Sequence, residues 1–355
     1  MATVRDIASS LGVSPATVSR SLNNAPEVSD KLKRRVIDEA KRIGYVASRR
    51  TRTRTGTVGL MFVNETSGPM FSGYDAIIWS GVARAAAAAG YAVSVFDPRQ
   101  RRENESLDSL ATRLHLDGLL VRNDWHSREF VREIAETGMP SVVIADRFED
   151  KSVNYVCCNS YAPTRQAIEH LLHLGHRRIA LCHHVLVDTD HRDRIDAYEA
   201  AMTDAGFGPE EQMRIAIRAD VDGGGAALSR FLAMPDPPTA IFFTDPPATV
   251  GALRRAVELG LSVPEDLSII GVDDEDLRRM THPVYTAVCQ DAAEIGYQAA
   301  RWLCRALSGT TSSTESDARL HLELDAVLEI NKSTAAPPAR ALRMSPNGHR
   351  IENHA

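Results

Sequence analysis

Ser14–Arg20, reading SPATVSR, packs three hydroxyls, a proline, a small Ala16 and a guanidinium into seven residues. Hydroxyls donate to phosphate oxygens without reading sequence, whereas a guanidinium pairs bidentately with guanine. A second set is acidic: Asp146, Asp245 and Asp273 stand at or just beyond the apolar runs SVVIA, TAIFF and IIGV. Carboxylates beyond strand ends can bond ligand hydroxyls bidentately, although an Asp in that place also caps the following helix. A third set, Cys182-His183-His184 with Asp188, Asp190 and His191, has the composition of a metal site. In a strand, Cys182 and His184 share one face and His183 takes the other, and the spacing fits no zinc pattern. Ligand contacts or a solvated loop account for it better. His170, His173 and His176 suit a helix C-terminus, where the dipole favours them. Gly223-Gly224-Gly225 lacks the Lys-Ser/Thr of a phosphate loop, and no G-x-S-x-G or H-E-x-x-H occurs. No catalytic residue, metal or cofactor is expected.

The hydroxyl-rich stretch needs a helix to present it. Thr3 with Asp6 fits a capping box, and Val4, Ile7, Ala8 and Leu11 then share one face. Gly12-Val13 turns the chain, Ser14 caps a second helix, and Pro15 takes the first helical position. Val18 and Leu22 face inward, leaving Pro15, Ala16, Thr17, Ser19 and Arg20 outward. Ser29 caps a third helix with Leu32, Val36, Ala40 and Ile43 inside. Three short helices with a tight turn match a helix-turn-helix whose second helix enters a major groove.

The acidic set belongs to a different scaffold. Short apolar runs at 57–63, 91–96, 117–121, 140–145, 178–183, 239–243 and 267–272 alternate with helical patterns. That alternation predicts α/β architecture with parallel sheets covered on both faces. After Ile330 the chain loses periodicity and holds three prolines, and 331–355 reads as a disordered tail.

Charge separates the two parts. Residues 1–55 hold 12 Lys and Arg against 5 Asp and Glu, while the whole 355-residue chain has a net charge of −6. A basic head on an acidic body suits a polyanion-binding module on a soluble domain. Five cysteines without C-x-x-C argue against a disulfide framework or Cys-based zinc module and for a reducing cytoplasm. No apolar run approaches a membrane span and the start lacks a secretory pattern, so membrane and secreted classes are set aside.

Three motifs carry a family resemblance. Val4–Asn23, reading VRDIASSLGVSPATVSRSLN, resembles the headpiece of the LacI/GalR transcriptional repressors, and HLLHLGHRRIA (170–180) and VPEDLSIIGVDD (263–274) resemble that family's body. The resemblance covers nearly 3–335. It implies a headpiece at 1–46, a linker at 47–56, and two Rossmann-like, periplasmic-binding-protein-like subdomains with a ligand cleft at 57–330. It implies that Pro15, Ala16 and Arg20 face base edges, and that Thr3, Ser14, Thr17, Ser19, Asn23 and Tyr45 contact phosphates; Ser29 joins this DNA-facing set. It also implies effector contacts from Asp146, Asp245, Asp273, Arg194 and the loop aromatic Phe71, with Asn159 and Thr244 in the pocket. Trp125 either stacks on a ligand or is a half-exposed loop residue. Acids and a guanidinium around an aromatic face suit a polyhydroxylated ligand.

Departures from the family pattern matter too. Thr244 stands where relatives commonly have Asn, Pro246-Pro247 and one extra residue alter that loop, and Ser160 replaces a larger polar residue. The effector's identity is therefore not transferable. The linker ASRRTRTRTGT lacks the apolar wedge that relatives insert between base pairs. Either its arginines, Arg50 and Arg52 among them, lie in a narrow minor groove, or a flexible basic segment touches phosphates only. The expectation is a cytoplasmic repressor, homodimeric or higher, on a near-palindromic operator, with a sugar-like effector. The alternatives are a regulator without small effector and a carbohydrate-processing enzyme.

Overall fold

The computed structural model describes residues 3–22, 27–43, 54–62, 72–103, 105–122, 128–185, 188–208, 211–309, 319–339 and 342–345. The headpiece is three helices, α1 (Val4–Leu11), α2 (Pro15–Leu22) and α3 (Asp30–Arg42). Thr3 and Asp6 form the expected capping box, and Gly12, at φ 66°, closes α1 in the left-handed region. Ile7, Ala8, Val18, Val36 and Ala40 form a small separate core.

The body begins with β1 (Thr57–Phe62), α4 (Gly73–Ala88), β2 (Ala92–Phe96), α5 (Leu107–Arg113), β3 (Gly118–Arg122), α6 (Arg128–Thr137), β4 (Ser141–Ile144) and β5 (Tyr155–Asn159). It continues through α7 (Tyr161–His173), β6 (Ile179–His184), α8 (Thr189–Asp204), β7 (Met213–Ile217), α9 (Val221–Leu232), β8 (Ala240–Phe243), α10 (Pro246–Glu258), β9 (Ser268–Asp273) and β10 (Thr286–Cys289). It ends with α11 (Ala292–Ser308), β11 (His321–Asp325) and β12 (Val327–Glu329).

Two six-stranded sheets result, ordered β11-β5-β4-β3-β1-β2 and β12-β10-β9-β8-β6-β7. Every pairing is parallel except β10 with β12. The chain passes between the sheets three times, at 159–161, 290–292 and 325–327. Alternate residues of the first sheet serve two cores: Leu60, Leu120 and Val142 face α4 and α11, while Met61, Leu119, Val121 and Val143 face α5 and α6. Gly81 and Gly296 let α4 and α11 meet backbone to backbone. A Cβ at Gly81 would lie 1.8 Å from the Ala293 carbonyl oxygen, and one at Gly296 would lie 2.3 Å from that of Ile78.

Two expectations are corrected. β5, β7, β10, β11 and β12 add to the seven strands read from apolar runs. The tail is docked over its described residues, not disordered. Ser333 is fully buried, donates its hydroxyl to the Ile269 carbonyl and accepts the Thr286 N–H at 2.8 Å. Leu342 and Met344 enter the core under α9, where the Met344 N–H reaches the Leu232 carbonyl at 2.8 Å. Three prolines removed periodicity without removing these anchors.

Candidate DNA-binding surface and ligand cleft

Ser14 opens α2 as expected: it accepts the Thr17 N–H at 3.0 Å, and the two hydroxyls pair at 2.8 Å. Pro15, Ala16, Ser19 and Arg20 are exposed on one stretch of helix, with Thr17 half-buried beside them. An exposed α-helix of this width fits a major groove. Thr3 is exposed at the start of α1, and the Ser29 carbonyl accepts the first N–H groups of α3. Asn23, Tyr45, Arg50 and Arg52 lie outside the described residues. The linker's exit is fixed: Asp117 accepts the N–H groups of Thr55 and Gly56 at 3.0 and 2.9 Å.

The parallel strands of both sheets point their carboxyl ends at a shared cleft, the place where ligands bind in open α/β sheets. Arg122 ends β3 and lies 3.3 Å from Asp75 on α4 and 3.9 Å from Asp188, with its guanidinium 5.2 Å above the Tyr74 ring. Asp188 caps α8 and holds the His191 ring at 2.7 Å, and the other ring nitrogen reaches Asp245 at 3.0 Å. Burial disfavours charge on His191, but the two carboxylates outweigh it and raise the imidazolium pKa to about 10. Burial would also raise Asp245, yet His191, Thr244 and Arg194 bring it down to about 2.

Arg194, on α8, donates to the Thr244 carbonyl at 2.9 Å and to Gln290 at 3.3 Å, and Gln290 donates to Asp274 at 2.6 Å. Burial pushes Asp274 up to about 6, and burial with neighbouring Asp188 raises Asp190 well above the usual carboxylate range. Arg194 is 3% exposed and Asp190 4%. Arg194 Nε, Asp190 Oδ1 and the Tyr74 hydroxyl are buried without a hydrogen-bond partner. Such groups are costly unless something satisfies them.

Asp146 follows Ala145, which adopts a left-handed φ of 60°, a strained conformation of the sort that gathers at functional sites. Its carboxylate takes Arg128 at 3.2 Å and the Thr189 hydroxyl at 2.9 Å, while Arg147 spans to Asp193 at 2.6 Å. Thr189 and Asp193 belong to the second sheet's side, so these contacts cross the cleft.

The other candidates separate. Asp245 and Arg194 join the cleft cluster, and the buried Thr244 donates its hydroxyl to Asp245 at 2.6 Å. Asn159 sits at the first crossing and donates to Asp325, at the third, at 3.1 Å. Asp273 is turned away from the cluster: its carboxylate accepts Leu277 N–H at 3.0 Å and Arg278 Nη1 at 2.6 Å, capping the turn that follows β9. Its neighbour Asp274 takes the cleft position instead. Phe71 and Trp125 lie outside the described residues. Arg122, Asp274, Gln290 and Tyr74 join the cluster without having been expected there; strand-end position alone would have found Arg122. Among the described residues, no group of three or more His, Cys, Asp or Glu is arranged to hold a metal ion.

A helix-turn-helix headpiece on a two-sheet, cleft-forming body defines a class of ligand-responsive DNA-binding regulators. Residues 3–48 match the family model for bacterial regulatory proteins of the lacI family, and 168–326 match the periplasmic binding protein-like domain. The transcriptional repressor CytR of Escherichia coli K12 is 31% identical over 353 residues, spanning 95% of this chain and 97% of CytR. The probable repressor ExuR of Bacillus subtilis is 27% identical across 89% of this chain and 94% of its own. A CelR–cellobiose complex superposes with a TM-score of 0.67 at 28% identity, over 94% of this chain and all of that one. The chain belongs to the LacI family of bacterial transcriptional repressors.

Proposed function

We propose that the protein is a cytoplasmic repressor acting as a homodimer on a near-palindromic operator, with a sugar-like small molecule in the cleft controlling its grip. Pro15, Ala16 and Arg20 read base edges; Thr3, Ser14, Thr17, Ser19, Asn23, Ser29 and Tyr45 position the headpiece on phosphates, and Arg50 and Arg52 follow the duplex from the linker. Two heads on a two-fold axis read two half-sites. A lac repressor structure similar in fold, at 23% identity, is a dimer bound to operator. A second copy would cover the exposed Val257 and Met280, which are 70% and 83% accessible. The cleft binds its ligand without turning it over, and no helix among the described residues is long and apolar enough to cross a membrane.

The observation that carries the effector reading is the set of unpartnered polar atoms on Asp190, Arg194 and Tyr74. A polyhydroxylated ligand would satisfy them: each hydroxyl donates to the carboxylate and accepts from the guanidinium or phenol. Binding shifts the equilibrium between two cleft states only by the ligand's differential affinity for them. Selection of duplexes from a random pool at two salt concentrations, with and without candidate sugars, tests the whole reading. A palindrome enriched at both salts and a sugar-dependent change in its recovery are expected. Purely salt-sensitive, sequence-blind binding would sink the repressor assignment.

A further inference from the structure

We propose that the cleft selects polyhydroxylated ligands carrying no phosphate or carboxylate, and excludes the anionic derivatives of the same sugars. The proposal rests on the effector reading above and narrows it. Five carboxyl groups (Asp75, Asp188, Asp190, Asp245 and Asp274), of which burial and Asp188 hold Asp190 uncharged, meet three cationic groups in the cleft (Arg122, Arg194 and His191). Those cations are already committed. Arg122 lies between Asp75 and Asp188, His191 bridges Asp188 and Asp245, and Arg194 donates to Thr244 and Gln290 with Asp190, Asp245 and Asp274 around it.

Helix N-termini are the other means by which an α/β fold receives an anion. Of the helices that start from strand ends at this cleft, α4, α8 and α10 have starts that the chain fills or blocks itself. By contrast, α7 begins at Ser160 without a side-chain cap and carries Pro163, which has no N–H, in its first turn. Ser72 and Asp75 fill the N-terminus of α4 as a capping box. Asp188 accepts the His191 N–H at the start of α8. α10 begins at Asp245 and continues with Pro246 and Pro247, which have no N–H to donate.

Among the described residues, what remains for a ligand is a mixed set of donors and acceptors. Asp190 Oδ1 lacks a donor, Arg194 Nε lacks an acceptor, and the Tyr74 hydroxyl lacks any partner. Asp190 interacts electrostatically with both Arg194 and Tyr74. Sugar hydroxyls match that set because each both donates and accepts. A phosphate would bring further negative charge to Asp75, Asp188 and Asp245, whose charges already occupy Arg122 and His191.

Calorimetry on the full chain tests this with ribose, glucose, galactose and cellobiose, each beside its phosphate ester and its sugar acid. Inorganic phosphate serves as a probe of anion binding alone. At least one neutral sugar is expected to bind, its anionic partners at least about 100-fold more weakly, and phosphate with no heat. Asp190→Asn should weaken the neutral sugar, with circular dichroism confirming the fold. An anionic derivative bound as tightly as its neutral parent, or more tightly, overturns the proposal and leaves the effector reading standing. Silence from every member, neutral and anionic alike, overturns both.

Discussion

The Thr189 hydroxyl donates to Asp146 at 2.9 Å and accepts the Arg147 N–H at 3.1 Å, so one side chain of α8 ties the second lobe to the end of β4 in the first. Arg147 adds a second tie through Asp193 at 2.6 Å. Combining Thr189→Val with Asp193→Ala removes both. The ligand-free protein should then sample a wider cleft, seen as a larger radius of gyration by small-angle scattering. An unchanged radius would mean that the shared core beneath the cleft, not these contacts, sets lobe spacing.

Arg20 is exposed on α2, where it can fork onto a guanine. Arg20→Ala should cost about 1–3 kcal/mol against the selected operator and little against random duplex. Arg20→Lys keeps the charge and loses the fork, so it should retain non-specific affinity while relaxing one operator position. Fluorescence anisotropy on matched and mutated sites separates these outcomes. Equal losses on all sequences would reassign Arg20 to a phosphate.

His191 makes stability depend on pH in a defined direction. Its pKa rises from 6.5 to about 10 on folding, so its contribution is complete below pH 6.5 and is lost as pH climbs through 10. His191→Gln should lower the melting temperature near pH 7 by an amount equivalent to at least about 1 kcal/mol, or roughly 2–4 °C. The gap between wild type and variant should shrink toward pH 10. A gap constant from pH 6 to 10 would show that the imidazole stays neutral.

The docked tail yields a stability prediction. Ending the chain after Ile330 removes the Ser333 hydrogen bonds and the burial of Leu342 and Met344. The expected cost is at least about 3 kcal/mol in urea unfolding. Ser333→Ala alone should lose a smaller part, about 1 kcal/mol, because Thr286 N–H is left buried without its acceptor. A truncated protein as stable as the full chain would show that the tail merely rests on the surface.

What the sequence disclosed follows physical locality. The headpiece was readable throughout its described residues, because caps such as Thr3 and Ser14 and the Gly12 turn act within a few residues. Strands such as GLLVR and SIIGVD showed themselves through unbroken apolar runs buried on both faces. HLELD was missed because its side chains are alternately exposed and half-buried, a pattern of lower contrast at a sheet edge. YVCCN holds one aliphatic residue, the buried Val156, beside two cysteines and a tyrosine, and so lacks an aliphatic run. In the cleft, Asp245 and Arg194 stood at positions known from relatives. Which member of the Asp273-Asp274 pair joins the Arg194–Gln290 cluster depended on the turn to Arg278, whose N–H groups fold back onto Asp273. Gln290 was beyond reach for the same reason: its partners, Arg194 and Asp274, come from other parts of the chain.

The three crossings also govern how this architecture can be recombined. The headpiece is one uninterrupted stretch, so a single splice in the linker would move it intact onto another body. Each lobe is assembled from separate stretches, with α11 and β11 returning to the first sheet after the second is almost complete. A gene fragment spanning 57–159 would therefore lack one edge strand and the helix that α4 packs against. Operator specificity is exchangeable in one cut, whereas effector specificity must evolve in place.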